Sequence, residues 1–206
     1  MTLEGDTKRM VPTVGMEMRF QFDRGKAIQT MGYLVGRLNS VPKVKLMKLV
    51  YLADKLHFLR CGYPITGDRQ WALPYGPVPS ETLDLLNGNI WPDPEAAYTF
   101  LHINDATVTL KQDPGTNLLS AEELATLDEI LVRYGDACPW ALVEQTHALP
   151  EYKEAYAGGI AGPIPYELIL RHAGDDRHDR LGRPVASAAT VAAMLCPLNA
   201  GADADL

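Results

Sequence analysis

The sequence predicts a mainly α, α+β fold: a compact helical domain with a small β-hairpin or antiparallel sheet. Three observations point there. Apolar residues recur at helical spacing across 23–61, Ser120 and Glu123 form a capping box at the head of another apolar-periodic stretch, and two short β-prone runs flank Asn104-Asp105. The 206 residues suit one domain with short appendages, because domains of roughly 100–200 residues are usual.

Residues 1–19 lack sustained periodicity and contain Gly5, Pro12 and Gly15, which reads as a flexible leader. Asp23 is the N-cap of a helix through Leu38, whose Ala27, Ile28, Met31, Leu34, Val35 and Leu38 repeat at helical spacing. Asn39-Ser40 breaks that helix, and Pro42 starts a second one that runs to Cys61-Gly62 and packs antiparallel to the first. In this second helix Leu46, Leu49, Val50, Ala53, Leu56 and Leu59 share one face, Met47, Tyr51 and Phe58 lie nearly opposite, and Lys48 and Lys55 mark a narrow stripe between. A helix apolar on two sides is packed on both.

Pro64, Gly67, Gly76, Pro77 and Pro79 then define a rigid loop over Ile65–Pro79, after which Ser80 caps a short helix through Leu86. Tyr98 to Ile103 and Ala106 to Leu110 form the β-hairpin, with Val108 and Leu110 alternating with Thr107 and Thr109. The capped helix runs to Tyr134, another spans about Pro139 to Leu149, Pro150-Glu151-Tyr152-Lys153 continues as a short helix or turn, and Pro165 opens a helix through about His172. The charged run after it, and an alanine-rich stretch at Val185–Leu195, read as a linker and a C-terminal helical extension. The organisation is thus a leader at 1–19, a domain at 20–171 and an extension at 172–206.

The net charge of −7 argues against a general phosphate-binding surface and favours a basic partner. Three scattered cysteines make no disulfide framework, and no apolar run approaches the roughly 20 residues of a membrane helix, so a cytoplasmic chain without a membrane partner is expected. No pair among the five histidines has the spacing of a zinc-protease helix, and there is no nucleophile elbow, phosphate loop or dinucleotide fingerprint. Cys138 and His147 lie more than two turns apart on one helix and do not meet. No catalytic residue, metal or cofactor is expected, which moves weight from enzymes to binding proteins.

Three segments in order and spacing, LMKLVYLADKLHFLRCGYPITGDRQWALPYGPVPSETLDLLNG, LSAEELATLDEILVRYGD and WALVEQTHALPEYKEAY, resemble the SocA-like Panacea domain over roughly Phe20 to Leu170. Its loop pattern stands here as Tyr63–Asp68 and Pro74–Val78, and its later signature as Thr146-His147 and Pro150-Glu151-Tyr152, with Tyr152 where tryptophan is common. The resemblance implies a mainly helical domain with a small β element, found as the antitoxin half of bacterial and phage toxin–antitoxin pairs. It implies a non-enzymatic mode, direct binding that neutralises a cognate toxin protein, and as an alternative an adaptor that delivers the toxin to an AAA+ protease.

On this basis the partner contacts fall on Asp68, Trp71, Tyr75, Gly76, Pro77 and Val78 in the loop and on Thr146, His147, Glu151 and Tyr152 beyond it, with Trp140 as a further anchor if exposed. An architectural role competes at each: Gly76-Pro77 sets a turn, Trp71 and Tyr75 plug the core, Asp68 caps backbone amides. A metal-dependent hydrolase, which requires His57, His102 or His147 to converge with carboxylates, ranks below both protein-binding readings. DNA binding ranks last, for want of a basic recognition helix.

Overall fold

A helix that is apolar all round must be surrounded, and the helix at the centre of the chain is. A computed structural model describes residues 18–90, 93, 95–104 and 106–173; the leader up to residue 17 and the extension from 174, with its expected helix at Val185–Leu195, lie outside the described residues. Helix α1 (Arg24–Leu38) starts where the Asp23 carboxylate accepts the Lys26 amide at 2.9 Å. After strand β1 (Ser40–Pro42), helix α2 (Lys43–Cys61) follows and ends on Gly62, left-handed at φ 88°.

Strands β2 (Gln70–Leu73) and β3 (Gly76–Pro79) come next, then α3 (Ser80–Asn87), β4 (Leu101–Ile103) and β5 (Thr107–Leu110). Helices α4 (Ala121–Tyr134), α5 (Pro139–His147) and α6 (Pro150–Ala155), strand β6 (Gly162–Ile164) and helix α7 (Tyr166–Ala173) complete the order, with short 3-10 turns at Ala96–Thr99 and Ala157–Gly159. Two antiparallel sheets result, ordered β1-β5-β4 and β3-β2-β6.

Helix α2 feeds both halves of the core. Its Leu46, Leu49, Val50 and Ala53 pack with Leu34 of α1, Leu85 of α3, Leu127 of α4 and Leu142 of α5. Its opposite side puts Tyr51 and Phe58 against Ala72, Tyr152, Ile164, Tyr166 and Ile169, and Phe20 closes that second cluster edge-on to Phe58 and Tyr166. The 65–79 stretch is therefore no free loop: most of it is the β2–β3 hairpin, seated on α2.

Three further sequence expectations need amendment. Ser80 occupies the first turn of α3 without making a cap hydrogen bond. The helix expected over 139–149 stops at His147, and Pro150 restarts the chain as α6. Lys48 is fully buried, because the two apolar sides of α2 leave no solvent-facing stripe between them at that level.

The capping box forms in full. Ser120 Oγ accepts the Glu123 amide at 3.1 Å and Glu123 Oε2 accepts the Ser120 amide at 2.8 Å, while Glu123 Oε1 takes the Lys26 ammonium at 2.6 Å and ties α4 to α1. Ser120→Ala removes one half of the box and is expected to cost about 1 kcal/mol, read as a lowered urea midpoint with unchanged slope.

Candidate functional site

The β2–β3 hairpin is held at its base by buried carboxylates. Asp54 of α2 accepts the Thr66 amide at 3.0 Å and Gln70 Nε2 at 3.2 Å, and also takes the Thr66 hydroxyl. Burial pushes Asp54 up to about 6, against the pull of those donors. Asp68 accepts the Glu81 amide at 2.9 Å, the Thr82 amide at 2.7 Å and the Thr82 hydroxyl at 2.7 Å, so its side chain does for the first turn of α3 what the N-cap residue, Pro79, cannot. Burial, and the Glu81 carboxyl beside it, raise Asp68 above the ordinary carboxylate range. The Tyr166 hydroxyl donates to the Asp68 carbonyl at 2.9 Å and accepts Gln70 Nε2 at 3.1 Å, joining α7 to the same network.

At the other end the hairpin turns through Pro74 and Tyr75 into Gly76, whose φ is +97°. A Cβ on Gly76 would stand 2.9 Å from Thr146 Oγ1, 3.1 Å from His147 Cδ2 and 3.1 Å from Lys48 Cε, so the bare backbone there is where the hairpin, α2 and α5 meet. The neighbouring carbonyls are gripped from behind. Lys48 Nζ donates to the Pro77 carbonyl at 2.8 Å, and the Tyr152 hydroxyl donates to the Leu73 carbonyl at 2.9 Å.

His147 lies flat on Tyr152, ring centroids 4.8 Å apart, and Tyr152 stacks on Tyr156 at 5.3 Å. Burial, and behind it the Lys48 charge, hold His147 below the usual imidazole range. Glu151 Oε1 accepts the Tyr51 hydroxyl at 2.9 Å and pairs with Lys55 Nζ, which fastens α6 to α2.

The sequence-named residues thus sort by position. Gly76, Pro77, Thr146 and His147 gather around Lys48, and Tyr152 stacks on His147; Glu151 sits next to Tyr152, 1% exposed; Val78 is buried; and Asp68 lies at the far end of the hairpin under α3. Trp71 is half-buried on the central strand, opposite Val78 and Pro163. Tyr75 alone of the ten projects into solvent, 62% exposed, and there it meets Trp140 of α5, 60% exposed, in an edge-to-face contact at 5.9 Å.

Among the described residues no group of three or more His, Cys, Asp or Glu is gathered to hold a metal. His57 is buried on α2 with Nδ1 3.3 Å from Thr126 Oγ1, His102 is exposed on β4, and His147 ends α5. No described helix is long and apolar enough to cross a membrane.

Lys48 is the residue that sequence reasoning misplaced. It was legible in principle, since apolar faces on both flanks of α2 leave a lysine no route to water, unless its stem reaches past them. Burial brings its pKa down to about 7, whereas an unfolded lysine keeps its proton to about 10. Between those values unfolding takes up a proton, so this residue makes the fold more stable as pH rises from 7 toward 10, by at most about 1.4 kcal/mol per pH unit. Lys48→Met is expected to remove that slope. Urea midpoints of both proteins at pH 7 and pH 9 check it, the expected result being a larger gain for the parent chain.

A family model described as "Antitoxin SocA-like, Panacea domain" matches residues 46–153, a span that contains most of α2, the β2–β3 hairpin and the α5–α6 junction. No curated protein and no solved structure matches the chain.

Proposed function

The chain belongs to the SocA-like Panacea antitoxin family, and from that premise we propose that it neutralises a cognate toxin protein by direct binding through the face made by the β2–β3 turn and α5. The observation that carries this reading is the exposed Tyr75–Trp140 pair, mounted on a turn that is gripped from beneath by Lys48, Thr146, His147 and Tyr152. A rigid mount matters because side chains that are already ordered lose little freedom on binding. In this reading the buried members of the motif shape the face and Tyr75 and Trp140 touch the partner.

The domain that does this is taken as residues 20–171, with the leader and the extension outside it, acting in the cytoplasm. The acidic balance favours a protein partner over nucleic acid. No step of chemistry is required of the chain, because occlusion of a toxin's working surface suffices.

Co-expression with the product of the small open reading frame next to its gene tests the reading. The expected result is that the neighbour alone arrests growth and that the pair grows and co-purifies as a complex. Growth arrest that persists when both are expressed at matched levels contradicts it.

A further inference from the structure

We infer that Tyr75 and Trp140 seat an arginine from a basic face of the toxin, with Glu144 as the neighbouring counter-charge. The inference rests on the antitoxin reading and names the chemistry of the partner surface.

Large aromatics exposed by about 60% are uncommon on a chain that buries Tyr51, Phe58, Tyr152 and Tyr166 almost completely, and these two come from separate elements to meet at one point. Among the described residues the other exposed large apolar side chains, Leu110, Leu118, Val132 and Ile160, are aliphatic and stand elsewhere, on β5, on the turn before α4, on α4 and in the loop before β6. Tryptophan and tyrosine are the side chains that most often dominate binding energy at protein interfaces.

Charge selects the partner. The hairpin segment 70–80 contains no charged residue, and the segment 134–152 contains Asp136, Glu144 and Glu151 but no lysine or arginine. Glu151 is spent internally on Tyr51 and Lys55. Glu144 is exposed one turn after Trp140 on α5, so the two side chains share a helix face, and Asp136 is exposed just before the same helix.

An aromatic pair with the Glu144 carboxylate one turn along, and no cation in either segment, fits a guanidinium: the plane stacks on the indole or phenol while its N–H groups reach the carboxylate. The chain uses the same chemistry elsewhere on its surface, where the Arg37 guanidinium lies 4.7 Å over the Tyr33 ring and pairs with Asp128. The Tyr75–Trp140 surface offers that arrangement with the cation's place unfilled among the described residues.

The test uses the full chain and the neighbouring-frame toxin that the co-expression experiment supplies, with affinity measured by titration calorimetry at two salt concentrations. Trp140→Ala and Tyr75→Ala are expected to weaken binding at least tenfold, and Glu144→Lys to weaken it more at low salt than at high. All three should keep the parent's circular dichroism and melting temperature. Ile160→Ala, an exposed apolar truncation elsewhere, is expected to bind like the parent. Modifying the free toxin with phenylglyoxal should abolish binding, and one arginine of the toxin should be protected from the reagent in the complex.

If the parent chain binds this toxin but folded Trp140→Ala and Tyr75→Ala bind it equally well, the inference is overturned and the antitoxin reading stands. Unchanged affinity of arginine-modified toxin overturns it as well. Failure of the parent chain to bind at all brings down the antitoxin reading, and this inference with it.

Discussion

Gly76→Val is expected to destabilise the domain by about 3 kcal/mol, from a positive-φ position forced on a β-branched residue together with overpacking against its neighbours. For a chain of this size that is a fall of roughly 6–12 °C in melting temperature. The cause is specific to the site: φ is +97°, and the new Cβ would press on Thr146 Oγ1, His147 Cδ2 and Lys48 Cε at 2.9 to 3.1 Å. Gly158 separates the two contributions. Its φ is +74° but a Cβ there meets nothing within 4 Å, so Gly158→Val carries the backbone strain alone and is expected to cost about 1 kcal/mol. Thermal melts of both variants decide it, and equal losses would mean that the close approach of the hairpin to α2 and α5 contributes nothing.

Glu151→Lys is expected to be more damaging still. From the sequence Glu151 stands as a partner contact beside Tyr152. In the fold it is 1% exposed, accepts the Tyr51 hydroxyl and pairs with Lys55. A lysine in its place puts two ammonium groups side by side in the interior and leaves Tyr51 without its acceptor, and breaking a buried pair in this way costs about 3–5 kcal/mol. The expected outcome is a chain largely unfolded at 37 °C by circular dichroism, with loss of toxin binding following from loss of fold. A Glu151→Lys protein that melts like the parent contradicts the internal role assigned to this carboxylate.

Helices α1, α2 and α4 were legible because their signals are local. Asp23 and the Ser120–Glu123 box bond within three residues of themselves, and the apolar spacing of α2 declares on its own that both sides are covered. The sheets were legible only where two strands adjoin, as β4 and β5 do. Three others were hidden by proline, β1 with Pro42, β3 with Pro77 and Pro79 and β6 with Pro163, and β2, free of proline itself, was hidden because both strands it pairs with are among them. Proline argues against a central strand, and each of these three lies at the edge of its sheet, where a missing N–H is tolerated.

Position in the site was harder to read than motif membership. By sequence Asp68 is one candidate cap for backbone amides and Ser80 another; both acceptors are in range of the start of α3, and the fold shows that Asp68 is the one used. Thr146, His147 and Tyr152 read as one motif with Gly76 and Pro77 across some seventy residues, and they do pack together, but nothing in their identity says that they face inward while Tyr75 and Trp140 face out. Lys48, the buried amine beneath the turn, stands in the first of the resembling segments with nothing about it to single it out as part of the site.

The central claim is neutralisation by occlusion, and the measurement nearest to it is a titration of the purified toxin's activity with the purified chain, with no protease present. Activity is expected to fall to zero at a fixed molar ratio while the toxin remains intact on a gel, and to return when the complex is dissociated. A toxin that keeps its full activity at saturating antitoxin, and loses it only when an AAA+ protease and ATP are added, contradicts occlusion and makes the chain a delivery adaptor.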